Sequence, residues 1–239
     1  MKLGLLLPIL MVGLSLNAAS ATSEAENPDV GAALGTLEAK NGIDTHYKFC
    51  RGMAGEQGYQ YDYAKYIWEL KNRPYIALSE QVFKDLPASS AAAIKQRWKR
   101  SAENFDSVRA SAGANQNGTY CAQHFSQIMD GSGYNMSASR TTLAHLLGTR
   151  EEVRVLERNI DMEVGCVKGA YNRGIKQFEE LRRACDCQTT KIIGKMSSGE
   201  IDSYLQLVAE NKGQEAMALV TKRVAMSELQ ACYSRIRTQ

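Results

Sequence analysis

The sequence predicts an all-α protein, a multi-helix bundle stabilised by disulfides, and three observations predict it. Apolar residues recur at helical spacing from about residue 59 onward, and alternating β-branched runs between turns are absent. Pro87 is the last proline, and the 152 residues after it suit helices, which exclude proline from their interiors. Six cysteines follow an N-terminal stretch that has the marks of an export signal.

In that stretch, Lys2 is a minimal positive region, Leu3 to Leu16 is apolar, and Ala19-Ser20-Ala21 matches a small-residue cleavage site. It reads as a signal peptide over 1–21, cleaved near Ala21. The apolar run of about 14 residues falls short of the roughly 18 that a membrane span needs. No later stretch is long and apolar enough, so the mature chain is expected without a transmembrane segment, periplasmic or secreted. Six cysteines in an oxidising compartment read as three disulfides. A zinc site is the weaker reading, because His46, His124 and His145 all lie far in sequence from Cys185-Asp186-Cys187. No cofactor is expected.

After the signal, 28 basic side chains face 26 acidic ones, with 13 of each in 22–149 and 15 against 13 in 150–239. Neither half has the positive field of a nucleic-acid binder.

Residues 22–45, rich in small and acidic residues and containing Pro28, are expected to form a flexible leader. The body then divides into 46–148, with Cys50 and Cys121, and 149–239, with Cys166, Cys185, Cys187 and Cys232. These are either one compact body or two related helical units. A faint echo suggests the second arrangement: Cys50 and Cys166 are each followed eight residues later by a glycine, then by a helix.

Tyr59, Tyr63, Tyr66, Ile67 and Leu70 share a helical face, and Pro74 is expected to end that helix. A short helix over 79–86 follows. Ser89 or Ser90 is expected to cap a helix striped by Ile94, Trp98, Ala102, Phe105 and Val108. A turn over 115–118 precedes a helix from Thr119 to about Gly131, and another helix covers 139–147. Thr149-Arg150-Glu151-Glu152 is a capping box opening a long helix that breaks at 172–174. The return helix carries Cys185 and Cys187. A second capping box, Ser197 to Glu200, starts a helix through Val208, and a last helical stretch breaks near Ser227.

Cys185 and Cys187 lie roughly 200° apart around a helix and should find different partners. Cys185, on the apolar stripe, is expected to meet Cys166; Cys187 points away, towards Cys232; Cys50 is left for Cys121. Exchanging Cys185 and Cys187 between partners is the alternative.

No hydrolase, metalloprotease or phosphate-binding motif is visible. The leading expectation is a non-catalytic protein that binds an envelope or extracellular protein. The candidate surface is Lys95, Arg97, Trp98, Lys99 and Arg100, together with the tyrosine-rich helix, since aromatic and arginine side chains anchor interfaces. One alternative is a peptidoglycan-directed protein stacking sugars on Tyr61 and Trp68, which fall off the buried stripe. A second is a thiol-disulfide redox protein using Cys185 and Cys187, with Arg182 and Arg183 nearby to favour thiolates. His124, three residues after Cys121, reads as a partly buried polar residue unless that cysteine is free.

Overall fold

A computed structural model describes residues 27–54, 58–210 and 212–233, and the signal sequence expected over 1–21 lies outside them. The described residues form ten helices and no strand. They are α1 (Pro28–Ala54), α2 (Tyr59–Lys84), α3 (Ala88–Ser111), α4 (Ala114–Asp130), α5 (Ser137–Leu147), α6 (Arg150–Asn172), α7 (Phe178–Lys195), α8 (Ser198–Ala209), α9 (Gly213–Thr221) and α10 (Met226–Cys232).

Three disulfides tie these helices: Cys50–Cys121 joins α1 to α4, Cys166–Cys185 joins α6 to α7, and Cys187–Cys232 joins α7 to α10. Their Cα–Cα separations are 5.5, 5.7 and 5.8 Å, in the ordinary range. Three disulfides fit an oxidising compartment, and no described helix is long and apolar enough to cross a membrane.

The helix α2 is the hub. Its residues Tyr63, Ile67 and Leu70 pack on Val164, Val167 and Ala170 of α6 and on Leu181 and Cys185 of α7. On another side, Ala64, Trp68 and Ile76 meet Ile43 of α1 and Ile128 of α4. Tyr75 meets Ala33 of α1 and Leu143 of α5. A further cluster joins Met162, Ile192, Ile201, Val220 and Leu229, closing α6 to α10. The core therefore runs across the boundary expected at 148/149.

Two expectations fail here for identifiable reasons. From Pro28 onward the expected leader over 22–45 is helix, continuous with Cys50. Its start is well signalled: Asn27 Oδ1 accepts from the Asp29 amide at 2.9 Å, and Pro28 occupies the first helical position. The stripe that α1 buries is Ala33, Thr36, Leu37 and Ile43, mostly small residues whose apolar pattern is weak. The Thr36 hydroxyl is satisfied by the Ala32 carbonyl at 2.9 Å. Pro74 does not end α2 but sits inside it. An interior proline costs about 3 kcal/mol. Full burial of Tyr75 and of most of Ile76, at about 1.5–3 kcal/mol per large side chain, offsets that cost.

Smaller differences lie at helix ends. Pro87, not Ser89 or Ser90, precedes α3, and α4 already begins at Ala114, absorbing the expected turn over 115–118. Both capping boxes form as expected, at Thr149/Glu152 and Ser197/Glu200. The 172–174 break is a Schellman turn: Gly174 has φ +73°, its amide bonds Tyr171 O at 2.8 Å, and Ile175 bonds Ala170 O at 3.2 Å.

Candidate binding trough along α1

One face of α1 carries Leu37, Lys40, Asn41, Asp44, Tyr47 and Arg51 at intervals of three and four residues. From Leu37 to Arg51 this face extends about 21 Å. Two clefts open onto it. The first, about 780 Å³, lies between this face, the first three turns of α2 and the start of α7. The second, about 410 Å³, lies between the N-terminal part of the face, the end of α2 and Trp98 of α3. They adjoin at Asp44, whose carboxylate holds Lys40 at 2.7 Å and Lys65 at 3.0 Å.

The larger cleft is aromatic and carries both charge signs. Tyr47 donates to Asp62 Oδ1 at 2.6 Å, and Arg51 Nε reaches the same carboxylate at 3.1 and 3.2 Å. Lys65 bridges from Asp44 to Glu69 at 2.9 Å and lies over the Tyr47 ring. Tyr66 donates to the buried carboxylate of Glu163, and Arg182 lies over the Tyr66 ring while pairing with Glu179 at 3.2 Å. Burial first, and then the carboxylates that they bond, push the Tyr47 and Tyr66 phenols up to about 12, so both remain protonated donors. Lys176 and Glu180 also line the cleft and make no ion pair among the described residues.

Of the residues expected to bind, α3 presents the basic set. It contains no fully buried residue, and Lys95, Arg97, Lys99 and Arg100 are exposed. Lys95 lies over the Phe83 ring at 5.7 Å, Arg97 pairs with Glu38 at 3.5 Å, and Lys99 with Glu103 at 3.7 Å. Trp98 is not a free anchor: its ring stacks on Phe83 at 5.4 Å and fastens α3 to α2. The glycan platform does not form as expected. Trp68 is only 5% exposed, and its indole donates to Tyr134 O at 3.2 Å, while Tyr61 packs edge-on against Phe125. Cys185 and Cys187 belong to different disulfides and make no dithiol with each other.

Four of the trough residues on α1, Leu37, Lys40, Asn41 and Asp44, fell in the segment read as a leader, and Tyr47 and Arg51 lay just beyond it. Those on α2, Tyr59, Asp62, Tyr66 and Glu69, recur at three and four residues and could have marked a second face of that helix.

Elsewhere, His46 and His124 form an aromatic junction with Phe105, Tyr120 and Tyr134. Tyr134 has φ +52°, an uncommon left-handed conformation for a tyrosine, and its hydroxyl meets His46 Nδ1 at 2.6 Å. Tyr134 also lies so close to Gly42 that a Cβ there would be 2.8 Å from the ring. Among the described residues, no group of three or more His, Cys, Asp or Glu side chains could hold a metal ion. Asn117, which opens the triplet Asn117-Gly118-Thr119, is 7% exposed and donates to the Arg109 and Ala112 carbonyls.

No protein-family model matches the chain, and no curated protein or solved structure matches it either.

Proposed function

We propose that the chain is a non-catalytic, exported protein whose trough along α1 binds a segment of a protein partner. The observation that carries this reading is the trough's shape: two clefts on one helix face, about 21 Å long. A metabolite site is usually a compact, mostly apolar pocket. A long, open surface with interspersed Tyr47, Tyr59, Tyr66 and Phe178 and charges of both signs suits an extended or helical segment with charges of its own. The exposed lysines and arginines of α3 extend one end of the trough and favour acidic residues there. The signal-like segment over 1–21 and the three disulfides support export to the periplasm or beyond.

The test is capture of envelope proteins on the immobilised mature chain, repeated with Lys176→Glu and Lys95→Glu at opposite ends of the trough. Support would be one polypeptide lost with either variant, retained by Lys222→Glu on α9 and released by salt. A polypeptide retained equally by both trough variants, or no retained polypeptide, refutes the assignment. If the chain instead co-sediments with peptidoglycan, the aromatic side chains of the trough serve a glycan.

A further inference from the structure

On the far side of α6 lies a separate cleft of about 280 Å³, walled by Tyr204, Leu205 and Val208 of α8 and Met217 of α9. Its α6 side includes Asp161, Gly165, Gly169 and the C-terminal cap Arg173, four residues apart and so stacked along about 18 Å of one helix face. The body of the cleft is apolar, with Met162 and Ile192 at its base, and its two ends carry opposite charge. A Cβ added at Gly165 would meet nothing within 4 Å, and one at Gly169 would meet only the Arg173 guanidinium at 3.5 Å. Glycine weakens a helix interior relative to alanine, and here no neighbouring side chain takes the space that the two glycines leave.

Four polar side chains on the cleft, those of Asp161, Arg173, Thr189 and Tyr204, make no hydrogen bond or ion pair among the described residues. The Arg173 guanidinium makes no ion pair or hydrogen bond among the described residues and lies back over Gly169 into the cleft. Thr189 of α7 is only 7% exposed and lines the cleft, yet its hydroxyl has no hydrogen-bond partner. That oxygen is not sealed in the core and is open to a ligand in the cleft. By contrast, the side-chain oxygen of Gln188 beside it accepts from the Tyr233 hydroxyl at 2.8 Å and lies 3.5 Å from the Cys166 sulfur, which its disulfide leaves without a hydrogen to donate. Because Gln188 faces Cys166, Thr189 sits about 10 Å along α6 from Arg173.

We infer that this cleft is a binding site for an amphipathic carboxylate of medium chain length that carries a second oxygen. Its carboxylate would pair with Arg173 and its apolar chain would lie over Gly169 and Gly165. The second oxygen would meet Thr189. Asp161, at the opposite end, repels an anion and sets the direction. At about 30 Å³ per water-sized group, the volume holds roughly nine such groups, the size of a six-carbon hydroxy acid.

The probe is 6-hydroxyhexanoate, titrated calorimetrically into the mature full-length protein, with hexanoate and 1,6-hexanediol for comparison. The hydroxy acid should bind, the diol about tenfold more weakly, and Arg173→Gln should abolish that difference. Hexanoate should bind severalfold more weakly than the hydroxy acid, and Thr189→Val should make the two equal. Gly165→Leu fills the cleft and should abolish binding while leaving the melting temperature unchanged or higher. No heat with millimolar hydroxy acid, or unaltered binding in Gly165→Leu, overturns the inference. So does a diol that binds as well as the acid.

Discussion

Acidification is expected to loosen the junction where α1, α3 and α4 meet. His46 and His124 have ring centroids 4.6 Å apart, and His124 Nε2 is buried without a partner among the described residues. The facing groups are the Tyr120 and Tyr134 phenols and Arg109 of α3, whose guanidinium lies 4.3 Å over Tyr120. Burial holds both imidazoles at about 4, below the usual 6.5; at His46 the positive charges of protonated His124 and Arg109 add to it. An unfolded chain takes up these protons near 6.5 and the folded one only near 4, so the unfolded state binds more protons between. The stability contributed is therefore complete above pH 6.5 and is lost as pH falls to about 4. At about 1.4 kcal/mol per pH unit for each imidazole, the interval amounts to about 3 kcal/mol at His124, and to less at the more exposed His46. Urea denaturation at about pH 7.5, 6.5, 5.5 and 4.5 measures it, and His124→Gln should remove about half of the slope. Equal midpoints throughout this range, or a slope unaltered in His124→Gln, would refute the reasoning.

The remaining predictions concern stability. Gly174→Ala should cost about 1 kcal/mol by denaturation, because φ is +73° there, whereas Gly165→Ala, in a helix interior with nothing within 4 Å, should be neutral or stabilising. Leu181→Ala, fully buried where α2, α6 and α7 meet, should cost about 2–5 kcal/mol and lower the thermal midpoint accordingly. Replacing both Cys50 and Cys121 by serine opens a 71-residue connection and should cost about 4 kcal/mol on the chain-entropy account, read as a lower urea midpoint.

The readable parts of the chain were those set by local geometry. The Thr149 and Ser197 caps need only residues three apart, and both formed. The disulfide pairing followed from the helical angle between Cys185 and Cys187 and the single apolar stripe that faces α6. Trp68 shows where such reasoning stops. It lies off the stripe facing α6, but α2 is covered on a second side by α1 and α4, so the off-stripe residue is also buried. The number of helices that cover a hub helix is not encoded in its own period.

The sequence alone thus determined helical class, the two capping boxes, the leading cysteine pairing and the expectation of export, because each depends on neighbours in the chain or on composition. Tertiary structure decided the rest. The small-residue stripe of α1 becomes a helix face only against α2, and Pro74 stays helical only because Tyr75 and Ile76 are buried beyond it. The trough and the α6 cleft exist where helices leave a face uncovered. Which faces those are depends on contacts such as Tyr66 to Glu163, 97 residues apart, whose energies no local window contains.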